Sequence, residues 1–229
     1  MLLLVQTYTA AKETLIRHWP YFLKSGADEI WIVTTTDDND LSWYPKDVTI
    51  VKIGNNSYIN GGHLPQRLID TLKTGLGNKT KFQHICICEY DTVFFHPLPI
   101  QRMEHAVAGY YAGGQTWNSK ASAFYHNPWV FFREAAIKFV EKGQEAINEG
   151  VCGYQTNSAF ATPEGSPDVF VGYACEHYDI PIQGNVWTEY SRNDLKGNGY
   201  LEEARQAYLG GYDVIHGIKT KEELEYITR

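Results

Sequence analysis

Four short runs of branched and aromatic residues, interleaved with segments of helical period, confine this chain to an α/β architecture. The runs are Met1–Thr7, Glu29–Thr34, Val48–Ile53 and Phe82–Cys88. Each is too short for a core helix and is built from residues that suit a buried strand. Between the first two, Ala10–Ser25 sets Leu15, Ile16, Trp19, Phe22 and Leu23 on one broad helical face and ends at Gly26. Before the fourth, Leu64–Leu76 repeats the pattern with Leu64, Leu68, Ile69 and Leu72. A strand, helix, strand, loop, strand series favours a parallel, doubly wound sheet. The expected fold is therefore a single α/β domain over residues 1–229, with a mixed, mainly parallel sheet flanked by helices. Pro128–Gly143 and Val169–Tyr178 read as further helices, the latter opened by Pro167-Asp168. The tail from Asn185 reads as loop-rich, closing with Tyr212–His216 and a short charged helix.

At 229 residues the chain can bury one full core. Its net charge of −7 and lack of a basic patch argue against tight duplex binding. Aromatics make up 14% of the residues, and their flat faces suit sugar rings and bases. Cys86 and Cys88 alternate onto one face of a strand, and with Cys152 and Cys175 they form neither a C-x-x-C pair nor a disulfide-dense pattern. Reduced, packed thiols are expected. Leu2–Val5 is too short for a signal-peptide core, and no run approaches about 20 apolar residues. A cytoplasmic protein without a membrane span is the expectation.

Chemistry concentrates at Glu89-Tyr90-Asp91, at the carboxyl end of the most apolar strand. Open α/β sheets bind ligands in the crevice at such ends. Two carboxylates one residue apart suit a hard divalent ion, which takes one or two carboxylates and completes its shell with water and phosphate. A solvated strand end is the plain alternative.

The segment Ile85–Phe95, containing Glu89-Tyr90-Asp91, resembles the D-x-D strand end of GT-A glycosyltransferases, with Glu89 in place of the first Asp. The resemblance implies a GT-A-like domain with Mn²⁺ or Mg²⁺ on Asp91, assisted by Glu89, and a nucleotide-sugar donor, a UDP-sugar by preference. Pro167–Glu176 resembles the E-D-V-x-x-G motif of inverting β1,3-glycosyltransferases, with Pro167 replacing the preceding acid. This implies Asp168 as the catalytic base. The same helix start would lower the Asp168 pKa, which leaves Glu176, two turns later, as the alternative. Val214–Lys219 resembles the close of many GT-A enzymes, implying His216 as a metal ligand and Lys219 beside the diphosphate.

Within the same resemblance, Thr7 and Tyr8 stand where the base is held, and Asp37 stands near base or ribose. Tyr90 flanks the donor, and Arg67 could face it from the first turns of its helix. Residues 1–100 then form the nucleotide-sugar half and 101–229 the acceptor half. Gly61-Gly62-His63, Tyr154–Ser158, Trp117 and the Trp187–Tyr190 loop are further candidates around donor and acceptor. The expected acceptor is a hydroxyl on a glycan or glycolipid, with a modified nucleic-acid base less favoured. Two rivals stand beside this reading: a nucleotidyltransferase acting on sugar phosphates, and a non-catalytic carbohydrate-binding protein.

Overall fold

The computed structural model describes residues 1–54, 64–77, 82–117, 120–149, 167–191 and 199–229, and of 112–117 and 120–124 the backbone alone. It has the expected α/β architecture. Strand β1 (Leu2–Gln6) leads through a 3-10 turn to helix α1 (Lys12–Phe22). There follow β2 (Glu29–Thr35), β3 (Thr49–Ile53), α2 (Leu64–Gly77), β4 (His84–Glu89) and the short β5 (Thr92–Phe94). A long hairpin comes next, β6 (Val107–Trp117) and β7 (Lys120–Phe132), then α3 (Arg133–Asn148) and α4 (Pro167–His177). The chain ends with β8 (Ile182–Gly184), β9 (Glu189–Ser191), α5 (Gly199–Leu209), β10 (Val214–His216) and α6 (Lys221–Thr228).

The main sheet has seven strands in the order β3-β2-β1-β4-β7-β6-β8. Its first four run parallel, β7 enters antiparallel to both β4 and β6, and β8 lies parallel to β6. Successive side chains on a strand point to opposite faces, and the apolar runs use both. Leu2, Leu4, Ile85 and Ile87 pack with Leu68, Ile69 and Leu72 of α2, Phe139 of α3 and Phe170 of α4. Leu3, Val5, Cys86 and Cys88 pack on the other face with Leu15 and Phe22 of α1, Phe94 and Val214. A second sheet, β5-β10-β9, covers that face, and α5 and α6 lie against it through Ala204, Ala207, Leu224 and Ile227.

The helix expected at Pro128–Gly143 is displaced. Residues to Phe132 are strand, and the helix begins at Arg133. Trp129, Val130 and Phe131 pair with Ile87, Cys86 and Ile85, so these bulky residues lie in the sheet beside the strongest strand. Pro128 falls where β7 shifts register against β6, one of the few places a sheet tolerates a missing N–H. The segment Ala10–Ser25 is helical, though split into a 3-10 turn, α1 and a second 3-10 turn at Leu23–Ser25. Gly26 ends it at φ 80°, as its position suggested. The tail is less loop-rich than expected, since it carries β9, α5, β10 and α6. Cys86, Cys88 and Cys175 are free and buried, and burial pushes all three thiols up. No helix among the described residues is long and apolar enough to cross a membrane.

Candidate functional site

From β1 the chain moves to β2 and β3 on one side and later to β4 on the other, so the sheet changes winding direction between β1 and β4. Gln6 lies opposite Glu89 there, at the carboxyl ends of both strands. That is where a parallel sheet opens a crevice for a ligand. Glu89 is the last residue of β4, and Tyr90-Asp91 turn the chain into β5.

Strand β10 brings His216 to this turn. It pairs antiparallel with β5 and sets His216 opposite Thr92. Beyond it the Gly217 and Ile218 amides donate to Asp91 O at 3.2 and 3.1 Å. Gly217 makes this possible at φ 92°, a conformation costly for any residue with a Cβ. His216 Nε2 then lies 3.3 Å from Glu89 Oε2 and 3.2 Å from Asp91 Oδ1. Asn127 of β7 braces the group. Its Oδ1 accepts from Glu89 N at 3.4 Å and Thr92 Oγ1 at 3.2 Å, while its Nδ2 is 3.4 Å from His216 Nε2.

Burial alone would favour neutral forms of both partners. The Asp91 and Glu89 carboxylates overcome it and hold the His216 imidazole well above its usual range. Burial likewise pulls the Asp91 carboxyl up, and His216 reverses this and holds it down, with help from Lys219. A buried ion pair of this kind compensates the crowding of two carboxylates. A divalent cation would compensate it equally well. Ligands about 2.1 Å from a Mg²⁺-sized ion stand about 3 Å apart at neighbouring octahedral positions, close to the separations here. Asp91 is 4% exposed, and its Oδ1 has no aligned hydrogen bond to satisfy it. Two carboxylates, one imidazole, this spacing and that unsatisfied oxygen fit Mn²⁺ or Mg²⁺.

Around this centre the expected residues divide. Tyr8 and Tyr90 meet at the crevice as an edge-to-face pair, centroids 5.4 Å apart and hydroxyls 3.4 Å apart. Lys219 is exposed just past β10, and its own amide donates to Glu223 at 2.7 Å. Asp168 lies in the first turn of α4, and its charge reaches Glu189. Arg67 lies at the carboxyl ends of β1 and β2. It is 5% exposed and donates to Thr7 O at 2.7 Å and Val33 O at 3.3 Å, tying the ends of β1 and β2. Thr7 is fully buried and contributes that carbonyl. Asp37 is exposed, whereas its neighbour Asp38 is buried against Lys12 at 2.5 Å, Tyr44 at 2.5 Å and Thr34 at 2.8 Å. Glu176 is exposed and takes no part in the carboxylate cluster. Trp187, read as an acceptor platform, is a core side chain at 3% exposure. Gly61-Gly62-His63, Tyr154–Ser158 and Cys152 lie outside the described residues, as does the Trp117 side chain.

Three residues at the site, His18, His126 and Asn127, have no counterpart in the sequence reading, and Glu189 was included there only as part of the Trp187–Tyr190 acceptor loop. His18 of α1 is buried beneath the Tyr90-Asp91 turn, where burial lowers its pKa to about 4. Its neutral Nδ1–H donates to Tyr90 O at 3.1 Å. Asn127 braces the ligands, and His126 and Glu189 stand on the far side of His216. His126 and Asn127 were hidden because their stretch precedes a segment that reads as helix. The available signal was a polar pair directly before an aromatic β-forming run. No protein-family model matches the chain, and no curated protein matches it.

Proposed function

We propose that the chain is a metal-dependent glycosyltransferase, moving a sugar from a nucleotide sugar, a UDP-sugar by preference, to a hydroxyl acceptor. One observation carries this reading. Glu89 Oε2 and Asp91 Oδ1 converge within 3.3 Å of His216 Nε2, beside the crevice between β1 and β4. Asp91, Glu89 and His216 are the residues that would hold Mn²⁺ or Mg²⁺. When bound, the ion supplies positive charge to a leaving diphosphate.

The chain's own groups do the rest. The Asp91 carbonyl, pinned by the Gly217 and Ile218 amides, fixes the carboxylate in place before a donor arrives. Tyr8 and Tyr90 offer aromatic surface for the base. Lys219 brings a mobile positive charge toward the diphosphate. Asp168, in the first turn of α4, or failing it Glu176, takes the proton of the acceptor hydroxyl, and direct displacement inverts the sugar carbon. A glycan or glycolipid hydroxyl is the preferred acceptor.

The test is nucleoside diphosphate release from a panel of nucleotide sugars with Mn²⁺ and candidate acceptors. Asp91→Asn should lower turnover about hundredfold or more, as expected for losing a few kcal/mol of charge stabilisation. Full activity in that variant sinks the assignment. Release of pyrophosphate would move the chain to nucleotidyl transfer. Chelator-insensitive sugar binding without nucleotide affinity would make it a binding protein.

A further inference from the structure

His216 belongs to two groups of potential ligands. With Glu89 and Asp91 it forms the set described above, and with His126 and Glu189 it forms another, the donor atoms in each lying within 4.8 Å of one another. The second group is built into the fold. His126 comes from β7 and Glu189 from the start of β9, and β9 runs parallel to β10 with Glu189 opposite Val214 and Ser191 opposite His216.

Its polar atoms point to a ligand. Glu189 is 2% exposed, accepts a long hydrogen bond of 3.4 Å from Trp187 Nε1 on Oε2, and has no partner for Oε1 among the described residues. His216 Nδ1 is likewise buried and unpartnered. A buried polar atom left unmatched is costly, and two of them in one cluster fit a missing ligand shared between them. Ser191 Oγ lies 3.1 Å from His126 Nδ1, the kind of partner that orients an imidazole and presents its Nε2 as ligand. On His216 the carboxylates sit against Nε2, so in the neutral ring the proton belongs there and Nδ1 is the nitrogen left for a second ligand. The Asp168 charge, felt at Glu189, adds negative potential for a cation.

We propose that His126, Glu189 and His216 form a second cation site that takes a borderline transition metal of the Zn²⁺ class. Two imidazoles and one carboxylate select such ions, whereas the Glu89–Asp91 pair, with a single imidazole, selects harder ones. In this site Glu89 Oε2 accepts the His216 Nε2 proton at 3.3 Å, the carboxylate–histidine–metal arrangement that fixes a ligand's tautomer. A neutral imidazole has one lone pair, so His216 serves one ion at a time.

Co²⁺ is the probe, because its visible bands are strong in a four- or five-coordinate site and weak in an octahedral one. Metal-free wild-type chain should develop strong bands that saturate at one equivalent and are displaced by Zn²⁺. Glu189→Gln and His126→Gln should each weaken Co²⁺ and Zn²⁺ binding about tenfold or more, while Asp91→Asn keeps the bands. Bands unchanged in both the Glu189 and His126 variants, or lost in Asp91→Asn alone, overturn the proposal. Should either variant fail to fold, Zn X-ray absorption on the wild-type chain decides. Scattering from two imidazoles supports the site, and a shell with one or none overturns it. These readouts are binding at named ligands, so their failure leaves the glycosyl-transfer reading untouched, and absent diphosphate release leaves this site untouched.

Discussion

His18 shows how a single buried side chain conditions the site above it. Its ring is fully covered, and burial holds its pKa at about 4, against 6.5 when exposed. It therefore stays neutral and spends its Nδ1 proton on Tyr90 O, steadying the turn that carries Asp91. The same lowering has a consequence for stability. Below about pH 6.5 the unfolded chain takes up a proton at His18 that the folded chain cannot take until about pH 4. Stability must fall as the pH falls across that window, and the gap corresponds to about 3 kcal/mol. Urea unfolding at pH 7 and pH 4 should show this loss in the wild-type chain and about that much less in His18→Gln. Equal losses in both would refute the assignment. At this scale Glu89, Asp91 and His216 were legible as candidates from residue type and position. Glu189 was legible only as part of an acceptor loop, because its place beside His216 comes from tertiary packing and burial, which raises its pKa to about 8.

Elements differ in how openly they declare themselves. Strands β1, β2 and β4 announce themselves because their central residues are buried on both faces and so are mostly apolar, whereas the half-exposed edge strand β3 is marked by its β-branched run. Helices α1 and α2 show a period of 3.6 because each has one face on the sheet and one in solvent. The β6–β7 hairpin gives no such signal. Its first arm, Val107–Trp117, contains three glycines and no regular alternation, and its pairing is broken by register shifts. The end of β7 was misassigned for a related reason: Trp129–Phe132 suit a buried helix as well as a strand, and only the β4 neighbour decides. Helix α3 then docks through Phe139, whose ring centroid is 5.1 Å from Phe131 of β7 and 5.8 Å from Phe170 of α4. Since Phe139 joins three elements and is fully buried, Phe139→Ala should cost about 3–5 kcal/mol. Denaturant titration measures this, and a loss below about 1 kcal/mol would show that the three elements do not depend on it.

At the scale of the whole molecule the site belongs to no single stretch of chain. Its candidate ligands come from the end of β4, the turn after it, the end of β10 and, on the far side, β7 and β9. The candidate metal ligands straddle the expected division into a donor half at 1–100 and an acceptor half at 101–229, His216 coming from the second half. A cation and nucleoside diphosphate bound there should stabilise the entire fold. At a hundredfold excess over Kd the gain is about 2.7 kcal/mol, which for a chain of this length raises Tm by about 5–10 °C. Thermal unfolding with Mn²⁺ and UDP should show the rise, and chelator or Asp91→Asn should abolish it; no shift with any nucleotide would count against a nucleotide site. The sequence by itself determined the α/β class, the first four strands and the placing of Glu89-Tyr90-Asp91 at a strand end, because periodicity and local propensity act over neighbouring residues. Tertiary structure alone decided that His216 closes onto those carboxylates, that Arg67 is spent on strand ends, and that His126 and Glu189 meet across the same imidazole. Such contacts join residues as much as 127 positions apart, and nothing in local spacing encodes them.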